Sequence, residues 1–355
     1  MATQRTRSAG AWLSRAFTRA SFASARGALG TAGALGRFLP RARPARHGVR
    51  VDRDVRYVLG ASREQWLDLY WPKRPGPARA WMLYVHGGGF RMLSKDSDWI
   101  PSLVFARRGL AVANVNYRLA PAHPFPAALE DCARALCWLV ARAPALGLSL
   151  NRLVLAGESA GANLAASLAL ACCYRRPEPW AQEVWELGLR PRALMLYYGF
   201  LQVSRPERFR EREPHARAAA PPDAPAWARL AARLRCPRPA KAVVQSHIEQ
   251  ISAGYLPADL DLTPSMLELA DPVVLLEQGT RPERSLPACF AAVGTKDPLL
   301  SDTRRLSRAY ERLGALCEAR FYADQIHGFN VLLWTDAAKQ CWKDSYAFLG
   351  RHVLG

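Results

Sequence analysis

Half of the 355 residues are apolar, and glycine and proline are spread along the chain, so it can bury a large core and is neither disordered nor fibrous. The formal charge of +19 invites a nucleic-acid partner, but ten arginines and no acid lie within residues 1–50, and the remaining surplus is interspersed with Asp and Glu without an RRM, zinc-finger or helix-turn-helix pattern. The absence of an uncharged apolar run of about 18 residues argues against a transmembrane helix; eight dispersed cysteines with no C-x-x-C pair provide neither a disulfide framework nor zinc spacing.

Residues 1–50 form a basic leader, or the first part of a lid. Its Arg-rich, Ser-containing, acid-free character fits a transit peptide or contact with an anionic membrane surface, while the lack of a compact apolar h-region argues against a secretory signal. A cytoplasmic location is the leading expectation, with organelle import and weak membrane-surface contact as alternatives. Residues 54–59 and 65–71 then read as two short strands of an antiparallel edge. Apolar strands follow at 81–85, 111–117 and 153–156, with a helix at 127–141 carried by Leu129, Ala133, Leu136 and Leu139. The rhythm resumes at 193–198, 289–293 and 319–322, and a helix at 336–351 closes the chain. Continuous apolar strands alternating with helices predict an α/β fold with a mostly parallel sheet covered on both faces.

Residues 200–286, more than eighty positions rich in Arg, Pro and Ala, break that rhythm. A structureless loop of this length is unexpected in a compact domain, so helices at 224–234 and 240–251 are predicted to form a cap. The expected organisation is a leader at 1–50, a core at 51–199 and 287–355, and a cap insertion at 200–286.

Two glycine motifs end strands of that core. Gly157-Glu158-Ser159-Ala160-Gly161 joins a buried strand to a helix, the setting of a nucleophile elbow, in which the glycines permit a tight turn that exposes the serine Oγ. A bare G-x-S-x-G arises by chance in about one chain in ten of this length, so its context carries the inference. That context is His86-Gly87-Gly88-Gly89-Phe90 at the end of an earlier strand, where successive glycines leave backbone N–H groups uncovered for an oxyanion.

A serine hydroxyl needs a base, and the base needs a carboxylate that fixes its tautomer. In a parallel sheet the loops at the carboxyl ends of strands converge. The two late strands end in Asp297 and His327, which gives the order Ser159, Asp297, His327. Of the other histidines, His47 is in the leader, His215 and His247 fall in the cap, His123 precedes a helix, His352 is C-terminal, and His86 is expected to orient the glycine loop. Asp302 is expected to act as a helix cap or first-turn partner, and Asp324 lies on the wrong strand to hold His327. Glu158 is expected to make structural hydrogen bonds with its side chain turned away from Ser159.

HGGGF at 86–90, NYRLAPAHPFPAALED at 116–131, GESAG at 157–161, DPL at 297–299 and HGF at 327–329 together resemble the hormone-sensitive-lipase-like branch of the α/β-hydrolases, from about Val51 to the C-terminus. The resemblance implies the α/β-hydrolase fold, a triad of Ser159, Asp297 and His327, and an oxyanion hole built from the N–H groups of Gly88, Gly89 and Ala160, with Gly87 shaping the loop. Tyr117, Arg118, Pro121 and Asp131 are expected to be scaffold, and Phe90 to line the acyl pocket.

The expected reaction is hydrolysis of a small-molecule carboxylic ester with a short-to-medium acyl chain, without cofactor or metal. An amidase or a deacetylase of a small molecule or glycan would share the chemistry. A ligand receptor on a dead hydrolase, as in the gibberellin receptors, is disfavoured because His327 is present.

Overall fold

The computed structural model describes residues 33–60, 62–73, 79–209 and 238–354. Eight strands form one sheet: β1 (Val49–Arg56), β2 (Trp66–Pro72), β3 (Arg79–Val85), β4 (Ala111–Val115), β5 (Leu148–Glu158), β6 (Ala193–Tyr197), β7 (Ala288–Gly294) and β8 (Cys317–Tyr322), in the spatial order β1-β2-β4-β3-β5-β6-β7-β8. β1 pairs antiparallel with β2, and β2 antiparallel with β4; every other pair is parallel. The expected antiparallel edge is therefore present. β1, however, begins at Val49, inside the stretch read as leader, and the strand placed at 54–59 ends at Arg56. A register irregularity between Asp52 and Val55, with Asp54 at φ 57°, displaces that strand from its simple alternation, and Leu59 is left exposed.

Parallel strands need crossovers, and these supply the helices that cover the sheet. α1 (Ile100–Ala106) links β3 to β4, α2 (Ala127–Leu146) links β4 to β5, and α3 (Ala160–Cys173) with α4 (Pro179–Glu186) links β5 to β6. α5 (Arg238–Tyr255), α6 (Pro264–Ala270) and α7 (Pro272–Glu277) precede β7; α8 (Leu300–Arg312) joins β7 to β8, and α9 (Asp336–Leu349) follows β8.

Alternation along β3 shows how the core divides. Trp81, Leu83 and Val85 join the cluster formed with α2, α3 and α8, whereas Met82 and Tyr84 join the opposite cluster with Phe105 of α1 and Trp342 and Phe348 of α9. Because both faces are covered, the central strands are continuously apolar, and that is why they were legible as strands.

The predicted cap helix at 240–251 lies within α5. The helix placed at 224–234 falls outside the described residues. α6 and α7, which composition grouped with the cap, pack on the core: Asn163 Nδ2 of α3 donates to Ala270 O of α6 at 2.8 Å, Ser167 Oγ donates to Leu269 O at 2.7 Å, and Val273, Leu275 and Leu276 of α7 join the core cluster.

Candidate active site

β5 delivers Ser159 to the carboxyl edge of the sheet, where the chain reverses directly into α3. Ser159 adopts φ 52° and ψ −115°, a conformation that non-glycine residues rarely hold and that persists only where the surroundings impose it. They do so here. Ser159 N–H donates to Tyr197 O of β6 at 2.9 Å, and Ser159 O accepts from Phe200 N at 3.1 Å. The flanking glycines are required by close approach, since a Cβ at Gly161 would lie 2.1 Å from Val85 O and one at Gly157 would lie 2.3 Å from Gly161 O. α3 can thus press its first turn against the end of β3, with Ala160 N–H among the helix-terminal donors that have no intrahelical acceptor.

The glycine loop leaves β3 beside this turn. Gly88 sits at φ +102°, and a Cβ there would lie 2.0 Å from Met92 O, so only glycine fits. His86 is fully buried, stacks on Tyr117 with ring centroids 4.3 Å apart, and places Nδ1 2.8 Å from Gly87 O. Burial drives its pKa down to about 4, which keeps the ring neutral and lets Nδ1–H donate to that carbonyl. Tyr117 Oη also donates to His86 O at 2.9 Å, so both residues fix the loop, as expected for scaffold. Arg118 likewise serves the scaffold: its Nε donates to Asp131 Oδ2 at 2.8 Å.

From the ends of β7 and β8 come Asp297 and His327, the residues expected to be the acid and the base. Asp297 is fully buried; its Oδ1 accepts Leu299 N–H at 2.8 Å and its Oδ2 lies 2.9 Å from His327 Nδ1. His327 Nε2 lies 3.1 Å from Ser159 Oγ. The three residues, separated by up to 168 positions in sequence, therefore form one continuous hydrogen-bonded chain. Burial works to lower the pKa of His327, but the side chain is 38% exposed, and the charge and hydrogen bond of Asp297, aided by Glu158, bring it above the ordinary histidine value. Asp324 is 76% exposed and pairs with Lys296 at 3.0 Å, away from this chain of bonds.

One side chain differs from expectation and a second does more than expected. Phe90 is fully buried and stacks on Tyr255 of α5, with centroids 3.7 Å apart and planes within 8°, so its ring packs the glycine loop against α5 and presents no open face to a ligand. Asp302 lies in the first turn of α8, as expected, but makes no cap hydrogen bond. It is buried, accepts Leu201 N–H at 2.9 Å and holds Arg208 through two nitrogens at 2.8 Å; burial outweighs Arg208 and pushes its carboxyl pKa up to about 6.

Three residues around the site carry no local motif. Tyr198 follows β6 directly, lies edge-on to His327 at 4.6 Å between centroids, and has its hydroxyl 2.8 Å from both Glu158 Oε2 and Asn330 Oδ1. Asp98 is buried against Glu158. The position of Tyr198 at a strand's carboxyl end was the available sequence signal; Asp98 and Asn330 had none.

This architecture has a counterpart among known proteins. A family described as alpha/beta hydrolase fold matches residues 82–331, well over half of the chain. The chain belongs to the α/β-hydrolase family. Within it, the likeness is to the hormone-sensitive-lipase-like branch. Lipase 2 of Moraxella sp. is 44% identical over 98 residues, covering 27% of this chain and 23% of that protein. Esterase LipI of Mycobacterium tuberculosis is 41% identical over 104 residues, 28% of this chain and 32% of the relative. The aligned segment thus spans about a quarter to a third of these relatives' length. Among solved structures, esterase LipW from Mycobacterium marinum superposes with a TM-score of 0.64 at 26% identity, covering 93% of this chain and 89% of that one.

Proposed function

We propose that the protein is a serine hydrolase that cleaves carboxylic esters of short-to-medium acyl chains through an acyl-serine intermediate. The observation that carries this reading is the Ser159–His327–Asp297 chain, with separations of 3.1 and 2.9 Å, at a strained strand-to-helix turn beside a glycine loop. His327 accepts the Ser159 proton as Oγ attacks the ester carbonyl. The tetrahedral oxyanion is bound by the N–H groups of Gly88, Gly89 and Ala160, each of which is worth about 10²–10³ in rate. His327 then protonates the leaving alcohol and later activates the water that releases the acid. Asp297 stays ionised throughout and holds the imidazolium in orientation. No cofactor enters this scheme.

The preference for shorter acyl chains rests on α5. A Cβ at Gly89 would lie 2.7 Å from Ile251 Cδ1, so α5 seats directly on the glycine loop that neighbours Ser159. Names of relatives such as ethyl acetate hydrolase of Pseudomonas putida, 43% identical over 104 residues, agree with a small ester. We further assign the basic segment at 1–50 a weak affinity for anionic membrane surfaces, supported by its arginines and by exposed Leu35, Phe38 and Leu39. No helix among the described residues is long and apolar enough to cross a membrane. A cytoplasmic location is supported by the seven unpaired cysteines among those residues.

A panel of p-nitrophenyl esters from acetyl to palmitoyl tests the reading. Hydrolysis is expected to peak at short and medium chains and to vanish in Ser159→Ala. Undiminished turnover in that variant rejects the mechanism, and a long-chain optimum rejects the pocket assignment.

A further inference from the structure

At the amino ends of the parallel strands, on the edge of the sheet away from Ser159, lies an open cavity of about 440 Å³. Arg152 of β5, Arg192 just before β6, and Arg351 and His352 after α9 line it, and Ser149 and Asn151 add neutral polar groups to its wall. β5 continues from Arg152 to Glu158, so about 20 Å of extended strand separates the cavity from the nucleophile turn. The hydrolytic scheme gives these cations no part.

Charge balance at the cavity is incomplete. Glu318 of β8 is the carboxylate tied to these groups: it accepts from Arg351 Nη2 at 2.7 and 2.9 Å, pairs with Arg320 at 3.1 Å and has His352 Nε2 at 3.6 Å. Burial works to raise its pKa, yet Arg351, Arg320 and His352 together hold it below the ordinary carboxylate value, as concentrated positive charge requires. Arg192 uses Nε on His352 O at 2.7 Å, which fixes its side chain against the C-terminal turn and leaves both Nη groups without an acceptor among the described residues. Arg152 makes no ion pair or side-chain hydrogen bond among those residues. The two arginines are neighbours, because Arg192 N–H donates to Leu153 O at 2.7 Å across β5 and β6. Two guanidiniums, which cannot lose their protons, thus face one cavity without a carboxylate of their own. Their repulsion is relieved when an anion enters.

We propose that this cavity is a second ligand site, which binds a phosphate group as a dianion through the guanidiniums of Arg152 and Arg192, with Arg351 and His352 adding to the field. The planar fork of arginine matches the spacing of phosphate oxygens. A phosphate monoester carries about −1.5 to −2 charges at neutral pH and so balances two uncompensated cations, whereas a carboxylate brings only one charge. The volume lies within the range of about 300–1,000 Å³ typical of small-ligand pockets. A phosphorylated solute and a phospholipid headgroup offer the same chemistry, and Leu150 and Leu354, 38% and 37% exposed beside the lining residues, give a lipid an apolar footing. The site is independent of the serine-hydrolase reading.

The test is titration calorimetry of the full chain with inorganic pyrophosphate at low ionic strength. Saturable binding is expected, weakened at least about tenfold when Arg152→Gln and Arg192→Gln are combined. It should change less than about twofold when Arg56→Gln and Arg63→Gln are combined, which removes the same charge where both arginines lean on Trp66 at the opposite edge of the sheet. The arginines of residues 1–50 are present in all three proteins, so the comparison isolates the cavity. Arg152→Gln alone breaks no hydrogen bond and should weaken binding about fivefold, which decides the matter if the Arg192 substitution disturbs the C-terminal turn. Hydrolysis of p-nitrophenyl acetate by the Arg152 and Arg192 double variant should stay within about twofold of wild type. Sedimentation with phosphatidylcholine vesicles containing about 20% phosphatidic acid identifies the source. A parallel fall in vesicle binding by that double variant places the phosphate on a lipid headgroup, unchanged vesicle binding places it on a soluble molecule, and either supports the site. No saturable pyrophosphate binding, binding unchanged in the Arg152 and Arg192 variants, or an equal loss in the Arg56 and Arg63 variant overturns the proposal.

Discussion

The carboxyl edge of the sheet and the segment between β6 and β7 are held by different kinds of force. At the edge, geometry is imposed by backbone: Gly157 and Gly161 allow main chains to approach where any Cβ would collide, and Ser159 is held at φ 52° by hydrogen bonds from neighbouring strands. Between β6 and β7, placement depends on long side chains meeting at a distance. Asp302 grips Arg208, Arg305 reaches Glu277 at 2.5 Å, and Asp271 accepts the N–H of Val203 at 2.6 Å as well as the Ser204 hydroxyl. Backbone constraints tolerate no substitution and leave compact motifs, whereas side-chain pairings permit many solutions and leave none. The geometry of the sheet edge is therefore written in local motifs of this chain, and that of the segment between β6 and β7 is distributed.

The largest expected effect falls at the edge. Ser159→Ala should reduce kcat by at least about 10⁴-fold with the fold intact by circular dichroism. Gly161→Ala, which drives a Cβ into Val85 O at 2.1 Å, should fail to give stable protein, as read by soluble yield and thermal melting. In the other region, Asp302→Ala strips Arg208 and two backbone N–H groups of a buried acceptor and should cost about 3 kcal/mol in denaturant unfolding. Activity per folded molecule should fall far less than in Ser159→Ala, and an equal fall would erase the distinction between the regions.

Smaller effects sharpen the boundary between them. Ile251→Ala, where α5 meets Gly89, should shift the ester optimum toward longer acyl chains while changing kcat on the acetyl ester by less than about threefold. The acid limb of kcat/KM should have its midpoint above 6.5: the raised His327 is protonated, and useless as a base, at pH values where an ordinary histidine is already half neutral. The smallest effect belongs to Asp324→Asn, which removes the charge and keeps a residue type that tolerates its φ of 60°. Its exposed pair with Lys296 should contribute within about 0.5 kcal/mol to stability, and activity should be unchanged.

The same contrast explains how much was legible in the sequence. Apolar runs located the central strands because the sheet is covered on both faces, and the glycine motifs located the turn and the loop because nothing but glycine fits there. Strand order placed Asp297 and His327 at the edge that carries Ser159, and the structure links the three by hydrogen bonds. The fates of Phe90 and Asp302 were not, since Phe90 is defined by its stack on Tyr255 and Asp302 by its grip on Arg208, both partners distant in sequence. α6 was grouped with the cap because nothing in its sequence signals that Asn163 and Ser167 of α3 bond to it. Asp98 was invisible for the same reason, as its meaning depends on a neighbour sixty residues away.

The most direct test of the central claim, that the carboxyl edge presents one activated serine, is covalent. The protein would be treated with a p-nitrophenyl phosphonate and its peptides mapped by mass spectrometry. One adduct per chain, on Ser159, absent in Ser159→Ala and strongly slowed in His327→Gln, is the predicted result. Labelling at another residue, or equal labelling of Ser159→Ala, would contradict it.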